Sequence, residues 1–313
     1  MSFQVLLAAP RGFCAGVERA IKTVELALDA NKGAPVYVRH EIVHNRTVVE
    51  DLKARGAVFV EDTAEIPAGA TAVFSAHGVS PQVRQEAAER SLSMLDATCP
   101  LVSRVHAGVL RYAARGYTIL FVGHKGHPEV EGVMGEAPGR VLLIETAEQA
   151  ETVQPPDPQN VAYATQTTLS LDDVSTIVET LRRRFPSMVG PDAGDVCYAT
   201  QNRQEAVRAL VTDHGADVVL VLGSPNSSNS NRLREVAEQA GARAYLLGSA
   251  SELQSGWLEG AARVGVTAGA STPEHVVQRL VDRLRELGAT DLRTVETRVE
   301  DVFFAPPPIR LLA

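Results

Sequence analysis

Short unbroken apolar runs alternate along the whole chain with longer stretches in which apolar residues recur every three or four positions. VLLAA at 5–9, TILFV at 118–122 and VVLVL at 218–222 are strand-sized, and a continuous apolar run fits a strand covered on both faces. Helical spacing is clearest in Val17, Ala20, Ile21, Val24 and Leu28, with Gly33 near the position of a C-cap. It returns in Leu101, Val102, Val105, Val109 and Leu110 before Gly116, and in Ala206, Val207, Leu210 and Val211 before Gly215. Strand-like runs alternating with amphipathic helices predict an α/β fold with mostly parallel sheets.

The pattern repeats. PVYV leads into RHEIVHN, TILFVG into HKGHPEVEG and VVLVLG into SPNSSNSN. Further on, AVFSA leads into HGVSP, NVAYA into TQTTLS and VGVTA into GASTP, each followed by a helical run. Three similar α/β units are therefore expected, 1–97, 98–195 and 196–285, with 286–313 as a C-terminal tail packing back on the body. Three such units around a pseudo-threefold axis bring their polar strand-to-helix tips to one central site, because parallel sheets bind ligands beyond the carboxyl ends of their strands. QPPDPQN at 154–160 reads as a loop, and FFAPPPIR as an extended tail, since consecutive prolines do not continue a helix.

With 38 acidic against 30 basic residues among 313, the formal charge is −8, and no nucleic-acid partner is expected. The apolar runs fall far short of the roughly 20 residues of a membrane helix. No basic segment precedes the first of them, so no signal peptide and no membrane partner are expected, and the chain is placed in the cytoplasm.

Three cysteines, Cys14, Cys99 and Cys197, are nearly evenly spaced, and each opens a helical pattern. An odd, sparse count argues for reduced thiols rather than a disulfide scaffold. One cysteine at a strand end is most often a small buried hydrophobe; three at equivalent places in three repeats are not so easily dismissed. Zinc ordinarily takes four ligands with a close cysteine pair, which is missing here. Three thiolates suit three irons of an iron–sulfur cluster, leaving a fourth iron open as a Lewis acid.

Five of the eight histidines, His40, His44, His77, His124 and His127, fall in polar tips beside Thr167, Thr168, Ser227, Ser228, Asn229 and Ser271. Ser80-Pro81 and Thr272-Pro273 each fit an N-cap followed by the first helical position. Neutral donors at helix N-termini suit a compact diphosphate, and no Walker or G-x-G-x-x-G sequence is present. Glu129, in GHPEVEG, is a candidate proton donor if its tip is buried beside an anion, with Glu131 as the rival carboxylate. An α/β protein that merely binds a phosphorylated metabolite, or a zinc- or iron-dependent hydrolase using the histidines, is compatible with the same residues.

The motifs PRGFCAGV, RHEIVHN, SAHGVS, DATCPLV, GHKGHPEVEG, TQTTLS, CYATQNRQ, GSPNSSNSNRL and GVTAGAS, running in order over nearly the whole chain, resemble the 4-hydroxy-3-methylbut-2-enyl diphosphate reductase family. These are the LytB-type enzymes that end the methylerythritol phosphate route to isoprenoids. The resemblance implies one 4Fe-4S cluster per chain, with Cys14, Cys99 and Cys197 as its three ligands and an open apical iron. It implies that His44, His77, His127, Ser227, Ser228, Asn229 and Ser271 bind the substrate diphosphate. Glu129 then matches the proton donor, and Thr167 the hydroxyl that works beside it at the substrate. The implied reaction is a reductive dehydroxylation giving isopentenyl diphosphate, dimethylallyl diphosphate and water. An external electron donor, ferredoxin or flavodoxin, and a monomeric enzyme complete the expectation.

Overall fold

The computed structural model describes residues 2–192 and 194–309. The chain opens with β1 (Phe3–Ala9) and α1 (Ala15–Ala30) and continues through β2 (Val36–Arg39), α2 (Arg46–Ala54), β3 (Ala57–Val60), β4 (Thr71–Phe74), α3 (Pro81–Glu89) and β5 (Ser93–Asp96). Then come α4 (Pro100–Ala114), β6 (Thr118–Val122), α5 (Pro128–Glu136), β7 (Val141–Ile144), α6 (Ala147–Thr152), β8 (Val161–Thr165) and α7 (Leu171–Arg184). The last stretch holds α8 (Tyr198–Thr212), β9 (Val218–Leu222), α9 (Ser228–Gln239), β10 (Arg243–Leu247), β11 (Arg263–Ala268), α10 (Glu274–Glu286) and β12 (Ala289–Glu296).

Every ladder between these strands is parallel, and they form three sheets: β10-β9-β11-β1-β12, β3-β2-β4-β5 and β7-β6-β8. The described residues pack as two compact units. One comprises the chain up to Glu18, His44–Asp51 and Tyr198–Phe303, and holds the five-stranded sheet. The other comprises Arg19–Val43, Leu52–Cys197 and the residues from Phe304 on, and holds the other two sheets. Among the described residues no helix is long and apolar enough to cross a membrane.

The apolar runs at 5–9, 118–122 and 218–222 are strands for the reason their composition suggests. In the five-stranded sheet, Val5, Leu7, Val218, Leu220, Leu222, Val264 and Val266 pack with Val276, Val277, Leu280, Val281 and Leu284 of α10. Their neighbours in sequence, Leu6, Ala8, Val219 and Val221, pack on the opposite face with Ala206, Val207 and Leu210 of α8 and Leu233 and Val236 of α9. The three-stranded sheet repeats the plan. Leu120, Val122 and Tyr163 join Val174, Ile177 and Leu181 of α7, while Ile119, Phe121 and Ala162 join Val105 and Val109 of α4 and Val130 and Val133 of α5. Strands buried on both faces need apolar residues at every position, so no two-residue alternation is visible in them.

Strand pairing groups the chain differently from the linear boundaries at 97, 195 and 285. β1, at the head of the stretch 1–97, pairs with β11 and β12 at the far end of the chain. The orders β3-β2-β4-β5 and β10-β9-β11-β1 are then the same four-strand motif, and β7-β6-β8 carries a trace of the fourth strand as an isolated parallel bridge between Ala162 and Val189. Each cysteine follows this fourth position. Within 286–313, residues 289–296 form β12 at the sheet edge, 297–309 carry no regular secondary structure, and 310–313 lie outside the described residues. Periodicity reports the faces of a strand but not its partner, because parallel pairing is indifferent to distance along the chain.

β9 and β11 are the strands that bring two polar tips close together. Each runs straight into a glycine, Gly223 or Gly269, and Ser230 is buried against both. A Cβ on Gly269 would lie 2.1 Å from Ser230 Oγ and 3.2 Å from its Cβ; one on Gly223 would lie 2.1 Å and 2.4 Å from the same atoms. Gly269→Ala is therefore expected to cost about 1–3 kcal/mol of stability by overpacking. In a Ser230→Ala background, which removes the offending hydroxyl, the added cost should largely vanish for Gly269→Ala and persist for Gly223→Ala. Denaturant midpoints of the double-mutant cycles measure both.

Candidate functional site

The three cysteines share one backbone frame. Cys14 N–H donates to Ala270 O (3.3 Å), Cys99 N–H to Ala76 O (3.0 Å) and Cys197 N–H to Thr167 O (3.0 Å). Each acceptor lies two residues beyond the end of a strand, β11, β4 or β8 respectively. Each thiol stands at the start of a helix, α1, α4 or α8, where the positive dipole end favours a thiolate. None is in a disulfide. Burial pushes the Cys14 thiol up, against the opposing pull of the Arg203 guanidinium. Three reduced thiols in equivalent frames are the donor chemistry an iron–sulfur cluster takes. Cys14 belongs to one compact unit and Cys99 and Cys197 to the other, and among the described residues no group of three or more His, Cys, Asp or Glu is arranged to hold a metal ion.

In the unit built from Arg19–Val43 and Leu52–Cys197, Glu129 is 1% exposed in the first turn of α5. Its Oε1 accepts from Thr167 N–H at 2.8 Å and its Oε2 from Thr167 Oγ1 at 3.0 Å. Thr167 is buried too, and its carbonyl is the acceptor for Cys197. Burial drives the Glu129 pKa up to about 7, although both bonds from Thr167 pull it down; Asp195 adds to the rise. The carboxyl is thus poised to exchange a proton near neutrality. Glu131, its rival, lies exposed on the same helix, so burial separates the two where sequence did not.

His127 caps α5: its Nδ1 accepts from Glu129 N–H at 3.2 Å, and Pro128 takes the first helical position. A neutral imidazole that accepts at Nδ1 carries its proton on Nε2 and presents it as a donor. The His77 ring lies edge-on to it, 5.6 Å between centroids, with its Nδ1 3.2 Å from Ser75 Oγ. Gln166, fully buried, went unnoticed in the sequence; its side chain accepts from His124 N–H and donates to Thr168 Oγ1, tying the β6 and β8 tips together. Its place next to Thr167 is the only signal that marked it. His40 is drawn elsewhere, to Glu61 on the surface at 2.6 Å.

In the other unit, three tips interlock. Ser227 caps α9 by accepting from Ser230 N–H and Ser230 Oγ. Asn229 accepts from Ala270 N–H at 2.9 Å and donates to Thr200 Oγ1 at 3.3 Å. Ser271 Oγ donates to His44 O at 2.9 Å, Asn226 approaches His44 Nδ1 at 3.4 Å, and Ser224 Oγ accepts from Arg46 N–H at 3.3 Å. Ser228 starts the helix. His44, Ser227, Ser228, Asn229 and Ser271 thus gather at the N-terminal ends of α2, α9 and α10, where helices present N–H groups to anions. Ser80 caps α3 with Pro81 behind it, as expected. Thr272 does not cap α10; Pro273 holds that position, and Thr272 Oγ1 donates to Leu222 O, satisfying a buried strand end instead.

The chain matches the family model described as LytB protein over residues 5–285. It is 57% identical over 304 residues to the 4-hydroxy-3-methylbut-2-enyl diphosphate reductase of Bordetella pertussis, covering 97% of this chain and 93% of that protein. The identity to the enzyme of the same name from Pseudomonas putida is 53% over 308 residues, with 97% of each covered. Among solved structures, the E-1-hydroxy-2-methyl-but-2-enyl-4-diphosphate reductase of Plasmodium falciparum aligns with a TM-score of 0.92 at 38% identity, over 99% of this chain and 96% of that one. A second, described as (E)-4-hydroxy-3-methyl-but-2-enyl diphosphate reductase, the terminal enzyme of the non-mevalonate pathway, gives 0.63 at 32% identity, over 91% and 99%.

The state of Glu129 has a thermodynamic signature. An exposed glutamate titrates near 4.5, whereas this one holds its proton to about 7. Its contribution is fully present below the unfolded value and is lost as pH rises through the folded one, roughly 3 kcal/mol in all. Stability should therefore fall between about pH 4.5 and 7 and level off above. Glu129→Gln, neutral throughout, is expected to flatten that part of the profile, read from urea midpoints at pH 5 and pH 8; an unchanged slope would rule the carboxyl out as its source.

Proposed function

The chain belongs to the LytB protein family, and from that membership we propose that it reduces (E)-4-hydroxy-3-methylbut-2-enyl diphosphate, the last step of the non-mevalonate route to isoprenoids. The substrate takes up two electrons and two protons; its C–O bond breaks, water leaves, and isopentenyl and dimethylallyl diphosphate form. The observation that carries the chemistry is the buried Glu129, held by two bonds to Thr167 and poised near neutrality.

His44, His77, His127, Ser227, Ser228, Asn229 and Ser271 bind the diphosphate. The serine and asparagine donors are neutral, and Ser227, Ser228 and Asn229 sit at the N-terminus of α9, so the site favours a compact anion without a strongly basic surface. His127 contributes through Nε2, because its Nδ1 is spent on capping α5. Glu129 supplies a proton through the Thr167 hydroxyl toward the departing oxygen, which converts a poor hydroxide leaving group into water. The second proton ends on either terminus of the allylic carbons, which accounts for two products.

Cys14, Cys99 and Cys197 would hold a 4Fe-4S cluster through their thiolates. When bound, that cluster supplies one-electron reduction and a Lewis acid for the substrate oxygen. Ferredoxin or flavodoxin delivers the electrons to a monomeric, cytoplasmic enzyme; no nicotinamide or flavin motif is present in the chain to do so internally.

Anaerobically reconstituted protein given the diphosphate and a reduced viologen is expected to form both products. Binding without turnover would favour a non-catalytic metabolite-binding protein. Glu129→Gln should leave iron content and KM near normal and lower kcat by roughly 10²–10⁴-fold; near-normal kcat would move the donor elsewhere, with Glu131 next in line. Cys99→Ser should lose iron and sulfide relative to the unsubstituted chain, and unchanged iron would refute its role as a ligand.

A further inference from the structure

The helices that begin at the cysteines each carry an arginine in the second turn, Arg19, Arg104 and Arg203, and each reaches the loop that leads to a different cysteine. Arg19 Nη1 and Nη2 donate to Thr98 O (2.9 Å) and Asp96 O (3.3 Å), just before Cys99. Arg104 faces Asp195, two residues before Cys197, at 4.0 Å. Arg203 donates through Nε and Nη2 to Gly12 O (3.1 and 2.8 Å) and through Nη2 to Phe13 O (3.2 Å), immediately before Cys14. The three are not equally placed. Arg104 is largely exposed, whereas Arg203 is the largest side chain with no exposure at all.

A buried guanidinium needs a counter-charge, and Arg203 takes it from the C-terminal segment. Glu300 receives Nη1 at 3.0 and 3.3 Å and Nη2 at 3.3 Å, and Asn202 Nδ2 adds a bond of 2.9 Å to the same carboxylate. The segment is pinned just before Glu300, by Thr297 N–H and Oγ1 on Ala9 O and by Arg298 on Glu205. The same segment gives Arg19 a carbonyl acceptor, Ala305 O, at 3.0 Å. Nothing from it reaches Arg104 among the described bonds. The turn that Arg203 grips has little freedom of its own: Gly12 has φ +63, and a Cβ there would meet Thr272 O at 2.9 Å.

We propose that Arg203 is the positioning residue of Cys14, and that residues 297–305 form a latch in which Glu300 holds Arg203, and Ala305 holds Arg19, against the loops that present Cys14 and Cys99. Removing the carboxylate leaves an uncompensated charge in a dry site, so the guanidinium must leave and the turn before Cys14 loosens. The functional meaning of the latch rests on the reading of these cysteines as cluster ligands; the latch itself concerns how the Cys14 and Cys99 thiols are held.

Site-resolved alkylation tests it. The full-length chain, as purified with its cluster and again stripped of it under reducing conditions, is treated with iodoacetamide, and the rate at each cysteine is followed by peptide mass spectrometry. In the stripped chain, Glu300→Ala is expected to speed alkylation of Cys14 at least about fivefold while Cys99 and Cys197 stay within about twofold. Glu300→Asp, which keeps the charge, should return Cys14 most of the way. Truncation after Glu296 should speed both Cys14 and Cys99 and spare Cys197. In the cluster-bearing chain the same variants should release iron to a chelator faster. Equal acceleration at all three cysteines, or none at Cys14, overturns the latch. An unsubstituted chain that binds no iron after reconstitution overturns the ligand reading instead, and the alkylation rates still decide whether the latch exists.

Discussion

In each of the three sheets, a cysteine N–H donates to a carbonyl two residues past the end of the neighbouring strand. That one bond sets where the thiol stands relative to the sheet and starts the helix that follows. The bond exists because parallel strands end in register, leaving their carboxyl-edge carbonyls to be taken up by the next loop. From it follow the helix starts at Ala15, Pro100 and Tyr198, the second-turn arginines, and the bond that ties Cys197 to Thr167. The same bond places the Glu129–Thr167 pair next to a cysteine loop, since the carbonyl of Thr167 frames Cys197 while its N–H and hydroxyl hold Glu129.

The two halves of Thr167's role pull on Glu129 in opposite senses. Its donors stabilise the carboxylate, and the burial that brings them close destabilises it more. Without the donors its pKa would be higher still; without the burial it would be an ordinary surface acid. The tip geometry on α5, with His127 as cap and Pro128 behind it, holds the group where burial outweighs the two bonds and leaves it titrating at about 7.

Much of this was visible in the sequence. Helices after Cys14, Cys99 and Cys197, the doubly covered strands and the polar tips all follow from apolar spacing and helix-start chemistry, which are local. Closure of the five-stranded sheet by β1 was not visible, because no local pattern names a partner more than 250 residues away. The tip sequence by itself left Glu129 and Glu131 as rivals and only the family resemblance chose between them; the physical difference, burial of Glu129 against exposure of Glu131, is tertiary. Arg203 left a faint trace: it lies on the stripe formed by Ala199, Ala206, Val207 and Leu210, a position where a charge announces a buried partner, but Glu300 lies in a segment with no periodicity to point back to it. Thr272 misled for the opposite reason, since Thr-Pro is a good start signal that a nearby strand carbonyl overrode.

The pairing of β1 with β11 and β12 also orders the protein's assembly in time. Residues 3–9 leave the ribosome well before their partners, 263–266 and 289–296, are made. During synthesis the frames of Cys99 and Cys197 can form from nearby sequence, Ala76 and Thr167, while Cys14 waits for Ala270. An apolar strand left without partners while the intervening chain is made is a hazard for mispairing and a slow, long-range closure when they arrive. Completion of the third thiol's frame thus comes after the other two, and it reports that β11 has been made and has paired with β1.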